Sequence, residues 1–217
     1  MKRRIAAFFI LSIIALWLDC TIRRSPPQSE PVRAPVVGSA LPDDMAAGLE
    51  AAGWPQYVGK DLGLWVSVAR QELIGIEDSC VQFVYRCSTA ARGTGNKENS
   101  YQTPLGWHEI TERIGDGLPQ GAIYNERKHT GKVWTPDSPT TKDLVLTRIL
   151  WLSGLEPGVN KGPGIDSHAR YIYIHGTPAE EKLGLPASWG CVRLSNRDVI
   201  ELFERTPIGT RVLITEW

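Results

Sequence analysis

The residues best suited to chemistry in this chain are a histidine and a cysteine, each beside a glycine. His175-Gly176 and Gly190-Cys191 both lie near the end of the sequence. A cysteine attacks as its thiolate, and a nearby histidine is the usual group that takes its proton at neutral pH. Gly190 lets other groups approach the backbone closely, and backbone N–H groups can stabilise a tetrahedral oxyanion. The pair therefore predicts thiol acyl transfer on an amide or an ester.

Each of the two residues also has a plainer interpretation. A histidine at a strand end is often structural, and a cysteine flanked by apolar residues is often a packing residue. The two interpretations differ in the reactivity that they predict. If His175 activates Cys191, alkylation of Cys191 stays fast well below the pKa of ~8.5 of a free thiol.

Two short strands are predicted to position these residues. The first covers residues 171–175, and its alternation places Tyr171, Tyr173 and His175 on one face. The second covers residues 191–194, with Cys191 and Arg193 on one face. A site between neighbouring strands is therefore expected.

The rest of the pattern predicts a mostly β domain with one or two short helices and long loops. Further strands are predicted over residues 64–68, 72–76, 81–87, 108–111, 144–152 and 211–215. Helices are predicted over residues 45–52 and 199–203, the second opened by a capping box from Ser195 to Asp198. The polar, turn-rich span 115–141 is interpreted as a lid or binding loop.

The N-terminus has the pattern of an export signal. Lys2-Arg3-Arg4 precede an apolar run that is shorter than the ~20 residues of a comfortable membrane span. Residues 1–20 are therefore predicted to be a signal peptide, or else a retained anchor, and Cys20 leaves lipidation open. We divide the remainder into a Pro-rich linker (21–42), a short segment (43–61) and a catalytic domain (62–217). The formal net charge is zero, which argues against nucleic acid as a partner.

The cysteines argue against a disulfide framework and against zinc. Cys80 and Cys87 flank a predicted strand that spans roughly 23 Å, whereas a disulfide needs Cα atoms within about 7 Å. No two cysteines have the short spacing of zinc ligands.

The ordered blocks of this sequence resemble the L,D-transpeptidase catalytic domain (YkuD-type) of bacterial cell-wall enzymes. The family signature is a His-Gly pair followed by Ser-His-Gly-Cys-hydrophobic-Arg, and the chain has His175-Gly176 and Ser188-Trp189-Gly190-Cys191-Val192-Arg193. Gln71, Ser88 and residues 103–106 also match family elements. The resemblance implies a β-sandwich-like fold over roughly residues 62–215.

The resemblance also implies the roles of individual residues. Cys191 would be the nucleophile, His175 the general base, and the Gly176 carbonyl the group that orients the imidazole. Backbone N–H groups around Gly190 and Cys191 would bind the oxyanion. Arg193 would fix the loop, hold a substrate carboxylate or form a structural ion pair. Ser188 would shape the loop, and Tyr173 would line the cleft or pack in the core.

The implied reaction is peptidoglycan L,D-transpeptidation, which implies no metal and no organic cofactor. Cys191 would attack the third residue of a tetrapeptide stem, release D-alanine and pass the acyl group to an amine on a second stem or on an envelope protein. This places the protein in the periplasm or cell envelope, with the membrane contacted only through its N-terminal segment. Trp189 stands where the family usually has histidine. One alternative is therefore a non-catalytic wall-binding protein. The other keeps the thiol chemistry with water as the acceptor, which makes a thiol hydrolase (L,D-carboxypeptidase or wall-protein amidase).

Overall fold

A computed structural model of the protein describes residues 37–138 and 140–217. The predicted signal peptide or anchor over residues 1–20, with Cys20, and residues 21–36 of the predicted linker lie outside the described residues. Within the described ranges, no helix is both long enough and apolar enough to cross a membrane.

Strands dominate the described part of the chain, and ten of them join in one hydrogen-bonded sheet. The strands are β1 (Gly63–Ser67), β2 (Glu72–Glu77), β3 (Cys80–Arg86), β4 (Gly106–Ile114), β5 (Ala122–Asn125), β6 (Lys128–Val133), β7 (Val145–Gly154), β8 (Tyr173–Gly176), β9 (Val192–Leu194) and β10 (Arg211–Thr215). The α-helices are α1 (Asp43–Ala51), α2 (Trp54–Tyr57) and α3 (Asn196–Arg205). The predicted mostly β fold is confirmed, with the single-turn α2 in addition to the two helices expected.

The sheet has the strand order β3-β2-β1-β10-β4-β7-β5-β6, and β8 joins both β7 and β9. Two of its pairings are parallel, β1 with β10 and β8 with β9, and the others are antiparallel. The parallel pair β8–β9 brings together the two strands that the sequence predicts to carry the site. Parallel neighbours need a crossover connection, and here residues 177–191 make it.

Helix α3 packs against the main core of the domain. Its apolar residues Val199, Leu202 and Phe203 recur at helical spacing and are buried with side chains from β1, β7 and β8. Ser195 caps the helix, since its hydroxyl accepts a hydrogen bond from the Asp198 N–H at 3.0 Å. The predicted N-terminal cap is therefore confirmed, and it fixes the start of α3 directly after β9.

Helices α1 and α2 pack against the opposite face of the sheet. Met45, Leu49 and Trp54 are buried in a second core cluster around Trp65. Because side chains alternate along β1, Trp65 points away from the neighbouring Leu64, which lies in the main core. Both faces of the central strands are therefore covered.

The span 115–141 corrects the sequence analysis, because it contains the hairpin β5–β6 where a loop is predicted. Every residue of β6 is exposed, so this strand lacks the alternation that marks a half-buried strand. Glu126 and Arg127 form the two-residue turn, and both have positive φ angles, 46° and 67°. Tight hairpins need such angles and usually obtain them from Asn-Gly or Asp-Gly, which this turn does not contain.

The cysteines of the described chain are free, as predicted. Cys80, Cys87 and Cys191 form no disulfide. Cys87 is fully buried, and its burial raises the pKa of its thiol. Cys87 is therefore a neutral packing residue at physiological pH.

His108 is a second buried histidine, and it has no part in the predicted chemistry. Its ring nitrogens lie 2.9 Å from the Gly106 carbonyl oxygen and 2.9 Å from the Ser167 hydroxyl. Burial lowers the pKa of His108 to about 4, against a smaller rise from the bond to Gly106. The ring is therefore neutral in the folded protein at pH values where the unfolded chain begins to bind a proton.

We expect the free energy of unfolding to fall as the pH drops from about 6.5 to about 4. In this window the unfolded chain binds a proton at each buried histidine and the folded protein does not, so acid favours unfolding. Above pH 6.5, His108 is neutral in both states and the loss of stability is absent. Below about pH 4 the loss from His108 is complete and amounts to about 3 kcal/mol. Urea unfolding between pH 7 and pH 4.5 should show a smaller loss in His108→Asn than in the parent protein. His129→Asn, which removes an exposed histidine, should lose as much stability as the parent protein does. Equal losses in all three proteins would contradict the prediction.

Candidate active site

The parallel pair β8–β9 brings His175 and Cys191 to the same face of the sheet. His175 pairs with Arg193 across the two strands, and Cys191 lies two residues before Arg193. The sequence predicts that Cys191 begins this strand, but β9 starts at Val192 and Cys191 lies directly before it. Cys191 packs against a small apolar cluster that includes Tyr173, two residues before His175 on β8. The cysteine therefore lies beside the strand that carries the histidine.

The Cys191 thiol is held by the backbone of the segment that leads into β8. Its S–H donates to the Tyr171 carbonyl at 3.4 Å, and its sulfur accepts from the Tyr173 N–H at 3.4 Å. The pKa of Cys191 is raised to about 11, mainly by burial and further by Asp143, against the lowering effects of the Tyr173 N–H, Arg193 and Arg170. The Cys191 side chain is half-buried, and its raised pKa favours the neutral thiol at physiological pH.

The His175 ring is held in one tautomer. Its Nδ1 lies 2.8 Å from the Gly176 carbonyl oxygen, which can only accept a hydrogen bond. Nδ1 therefore carries the proton, and Nε2 carries the lone pair of a base. Burial lowers the pKa of His175 to about 4, the bond to Gly176 and the charge of Asp143 raise it, and Arg193 lowers it. The histidine, like the thiol, is neutral at physiological pH.

Gly176 has no room for a side chain. A Cβ at this position would lie 2.5 Å from Asn196 Oδ1 and 3.0 Å from the Leu146 carbonyl oxygen. Any larger residue would push β8 away from β7 and from the start of α3. Since the Gly176 carbonyl accepts the His175 bond, such a displacement would also release the imidazole.

Asn196 organises the segment after the His-Gly pair, and sequence analysis missed it. Its side-chain amide donates to the Thr177 carbonyl and to a Glu180 carboxylate oxygen, each at 2.8 Å. The Asn196 N–H also donates to Glu180 at 2.8 Å, and the Thr147 hydroxyl bonds to Asn196 Oδ1. The only sequence signal was the position of Asn196 inside the predicted capping box of α3. Asn196 thus joins β7, the segment after β8 and α3.

Ser188 and Thr103 shape the loop before Cys191. The Ser188 hydroxyl donates to the Cys191 carbonyl at 2.6 Å and accepts the Gly190 N–H at 3.2 Å. The Thr103 hydroxyl donates to the Gly190 carbonyl at 3.0 Å, and Gly190 has a φ of 126° that favours glycine. The Gly190 N–H, expected to face an oxyanion, therefore already has a partner in Ser188.

The buried Arg193 forms an ion pair with Asp143, which is open to solvent, and this is one of the possibilities that the sequence left open. Its Nε is buried and has no hydrogen-bond partner among the described residues. Asp143, which precedes β7, was not singled out from the sequence. Because both charges act on His175 and on Cys191, this ion pair sets part of the electrostatic field of the site.

Tyr173 is buried, so its ring is part of the core and not an open wall of a cleft. Its hydroxyl accepts a hydrogen bond from Arg127 at 3.3 Å, and burial raises the pKa of Tyr173 to about 12. The Arg127 guanidinium also lies over the rings of Trp151 and Tyr171, at 4.8 Å and 4.7 Å. These contacts attach the tip of the β5–β6 hairpin next to the strand that carries His175.

Trp189 is the most exposed residue of the predicted site, with 69% of its surface accessible. Its ring meets Tyr101 edge-on, with centroids 6.0 Å apart and planes at 76°. Trp189 lines two cavities, of about 350 Å³ and about 670 Å³. The larger one is also lined by Asp143 and Arg193. Trp189 is therefore positioned to contact a ligand and not to take part in the proton chemistry of His175 and Cys191.

No group of histidine, cysteine and acidic side chains in the described ranges has the geometry of a metal site. The fold and the site together define a class of proteins: mostly β domains in which one strand carries a histidine and a cysteine directly precedes the parallel strand beside it, each residue next to a glycine. This chain belongs to the L,D-transpeptidase family, because the model of the L,D-transpeptidase catalytic domain matches residues 62–214.

Individual relatives match over shorter stretches. The chain is 37% identical over 95 residues to the probable L,D-transpeptidase ErfK/SrfK of Salmonella typhimurium, covering 42% of this chain and 30% of the relative. It is 38% identical over 91 residues to the probable L,D-transpeptidase YbiS of Escherichia coli K12, covering 40% and 29%. A putative L,D-transpeptidase of Fuscovulum blasticum is 36% identical over 108 residues, covering 46% and 53%. The matched region thus spans about a third to a half of the length of these relatives.

Solved structures of L,D-transpeptidases are similar to the described chain. L,D-transpeptidase 3 from Mycobacterium tuberculosis aligns with a TM-score of 0.45 and 15% identity, covering 71% of this chain and 61% of that one. An L,D-transpeptidase from Xylanimonas cellulosilytica aligns with a TM-score of 0.44 and 21% identity, covering 80% and 70%.

Proposed function

We propose that the protein is a peptidoglycan L,D-transpeptidase with Cys191 as its nucleophile and His175 as its general base. The observation that carries this proposal is the tautomer of His175. The bond from Nδ1–H to the Gly176 carbonyl leaves Nε2 unprotonated, on the face that also holds Cys191. Membership of the L,D-transpeptidase family supports the reaction class.

The first half-reaction transfers an acyl group to Cys191. The sulfur bonds to the amide carbonyl carbon of the third residue of a tetrapeptide stem, and the thiol proton passes to His175 Nε2. Because both groups are neutral beforehand, proton transfer accompanies the attack and no ion pair precedes it. His175 then gives the proton to the departing nitrogen, and the C–N bond breaks. D-alanine leaves, and the acyl group remains on Cys191 as a thioester.

The tetrahedral oxyanion requires a hydrogen-bond donor beside the sulfur. Since the Gly190 N–H donates to Ser188, we assign this role to the Cys191 N–H. Ser188, Thr103 and the Arg193–Asp143 pair act by holding the loop that presents this N–H.

The second half-reaction passes the acyl group to an amine. An amine on a second stem peptide, or on an envelope protein, attacks the thioester carbonyl, His175 takes the amine proton, and the Cys191 sulfur leaves and regains a proton. Water in place of the amine gives the hydrolase alternatives, a carboxypeptidase or an amidase. Since peptidoglycan lies outside the cytoplasm, this function requires export, for which residues 1–20 supply the sequence pattern.

Intact-mass spectrometry with a purified disaccharide-tetrapeptide tests this function. We expect release of D-alanine, an acyl adduct on the protein that maps to Cys191, and a cross-linked product when a second stem is present. Product masses distinguish an amine acceptor from water. The proposal is wrong if neither D-alanine nor an adduct forms under conditions in which another L,D-transpeptidase reacts.

A further inference from the structure

An aromatic corner beside the site has no role in the reaction described above. Trp189 and Tyr101 are 69% and 48% exposed, and their rings stand at 76° to each other. The Arg92 guanidinium lies 5.1 Å from the centre of the Tyr101 ring. Together with Ala91 and Ser188 these side chains line a cavity of about 350 Å³, at the lower end of the ~300–1,000 Å³ range of small-ligand sites.

The corner is held in place by buried contacts of the two loops that carry it. Next to Trp189, Gly190 accepts a hydrogen bond from Thr103 at 3.0 Å. Next to Tyr101, the Gln102 carbonyl accepts one from Arg170 at 2.7 Å. Because these bonds fix the backbone on either side, the rings form a preorganised surface and do not need to rearrange to bind a ligand.

Part of the backbone around the cavity is already paired. The Ala91 N–H donates to the Ser188 carbonyl at 3.0 Å, and the Arg92 carbonyl accepts from Gln102 at 3.0 Å. Strand-like recognition of a peptide uses backbone groups of this kind, so these pairs make it less favourable here. Two aromatic surfaces and the guanidinium of Arg92 are presented to a ligand.

We propose that this corner binds a pyranose ring of an N-acetylated amino sugar, the glycan portion of the peptidoglycan substrate. The C–H groups of a sugar ring carry partial positive charge and pack on the negative face of an aromatic ring. The hydroxyl and acetyl oxygens at the edge of the sugar accept hydrogen bonds from Arg92, which has five N–H donors. This inference rests on the proposed function only for the identity of the glycan.

The corner is within reach of the reacting bond. Trp189 is two residues from Cys191, so their Cα atoms lie at most about 7 Å apart. Three extended residues of a stem peptide cover about 10 Å. A stem whose third residue is at Cys191 can therefore place the sugar that carries it on Trp189.

Binding is tested with a saccharide that has no peptide, the β-1,4-linked tetramer of N-acetylglucosamine. In ¹⁵N-labelled protein, the indole N–H resonance of Trp189 is assigned as the one missing from Trp189→Ala. We expect the tetramer to shift this resonance in a saturable way. Trp189→Ala should bind the tetramer at least about tenfold more weakly, while Trp189→Phe should retain binding because it keeps an aromatic face. Ile208→Ala, which removes another exposed apolar side chain, should bind as the parent does. Absence of an indole shift, or a shift caused by the free tetrapeptide but not by the saccharide, would overturn the proposal.

Turnover separates this inference from the proposed function. The ratio of kcat/KM for the disaccharide-tetrapeptide to that for the free tetrapeptide should exceed one and should fall in Trp189→Ala and Tyr101→Ala. An equal kcat/KM for both substrates would reject the sugar site and leave the transpeptidase intact. Saccharide binding without turnover of either substrate would reject the transpeptidase and leave the sugar site intact.

Discussion

Replacing Cys191 with alanine is expected to lower acyl transfer at least about 10³-fold. Without the sulfur, no thioester can form, and the neutral His175 has no thiol proton to accept. The measurement is the rate of D-alanine release from the disaccharide-tetrapeptide, together with the mass of the protein after reaction. The adduct should be absent from the variant.

The same experiment includes a control at another cysteine and a test of whether Cys191 and His175 act together. Cys80→Ala removes a half-buried cysteine at the start of β3 and should leave the rate unchanged. His175→Gln alone should lose about 10²–10⁴-fold. The double variant of Cys191 and His175 should be no slower than Cys191→Ala alone, because groups that act as a unit are not additive. Substantial activity in Cys191→Ala, or a further loss in the double variant, would show that the two residues do not work as one unit.

Alkylation of Cys191 by iodoacetamide is expected to accelerate about tenfold per pH unit from about pH 7 to about pH 10. Only the thiolate reacts, and at pH values below the raised pKa of about 11 the thiolate fraction grows tenfold with each unit. Peptide-level mass spectrometry measures the rate at each cysteine separately. The sequence predicts a different profile if His175 activates Cys191, namely alkylation that stays fast well below the pKa of ~8.5 of a free thiol.

The His175→Gln variant decides between these two pictures. If the pair is neutral, the alkylation profile of Cys191 should change little, because no imidazolium holds a thiolate in the parent protein. If an ion pair existed, the parent would show a plateau at acidic pH that is lost in His175→Gln. A plateau of this kind would contradict the neutral pair and indicate that the charges of Arg193 and Arg170 outweigh the burial of the thiol.

The sequence could identify the candidate site because that information is local. Cys191 and His175 each have a glycine neighbour and lie in or directly beside short strands whose alternation can be read from the sequence. The Ser195 cap is also local, since the hydroxyl and the Asp198 N–H are three residues apart. These features depend on contacts within a few residues.

What the sequence could not predict depends on contacts between distant parts of the chain. Asp143 pairs with Arg193 and Asn196 contacts Thr147 only after β7 and β8 have paired, and neither residue carries a distinctive pattern. The raised pKa of Cys191 comes mainly from burial, which a neighbouring residue in the sequence does not reveal. Tyr171 was predicted to begin β8, yet it has a φ of 57° and lies before the strand.

The position of β10 has a consequence for how the chain is made. In the sheet, β10 is the strand that joins β1, β2 and β3 to β4 and the strands beyond it. It is also synthesised after every other strand of this sheet, and its contacts with β1 join residues nearly 150 positions apart in the chain. The two parts of the sheet therefore cannot be united while the ribosome is still making the domain, and contacts of such long range form slowly. A domain built in this way stays incompletely folded until β10 has been synthesised.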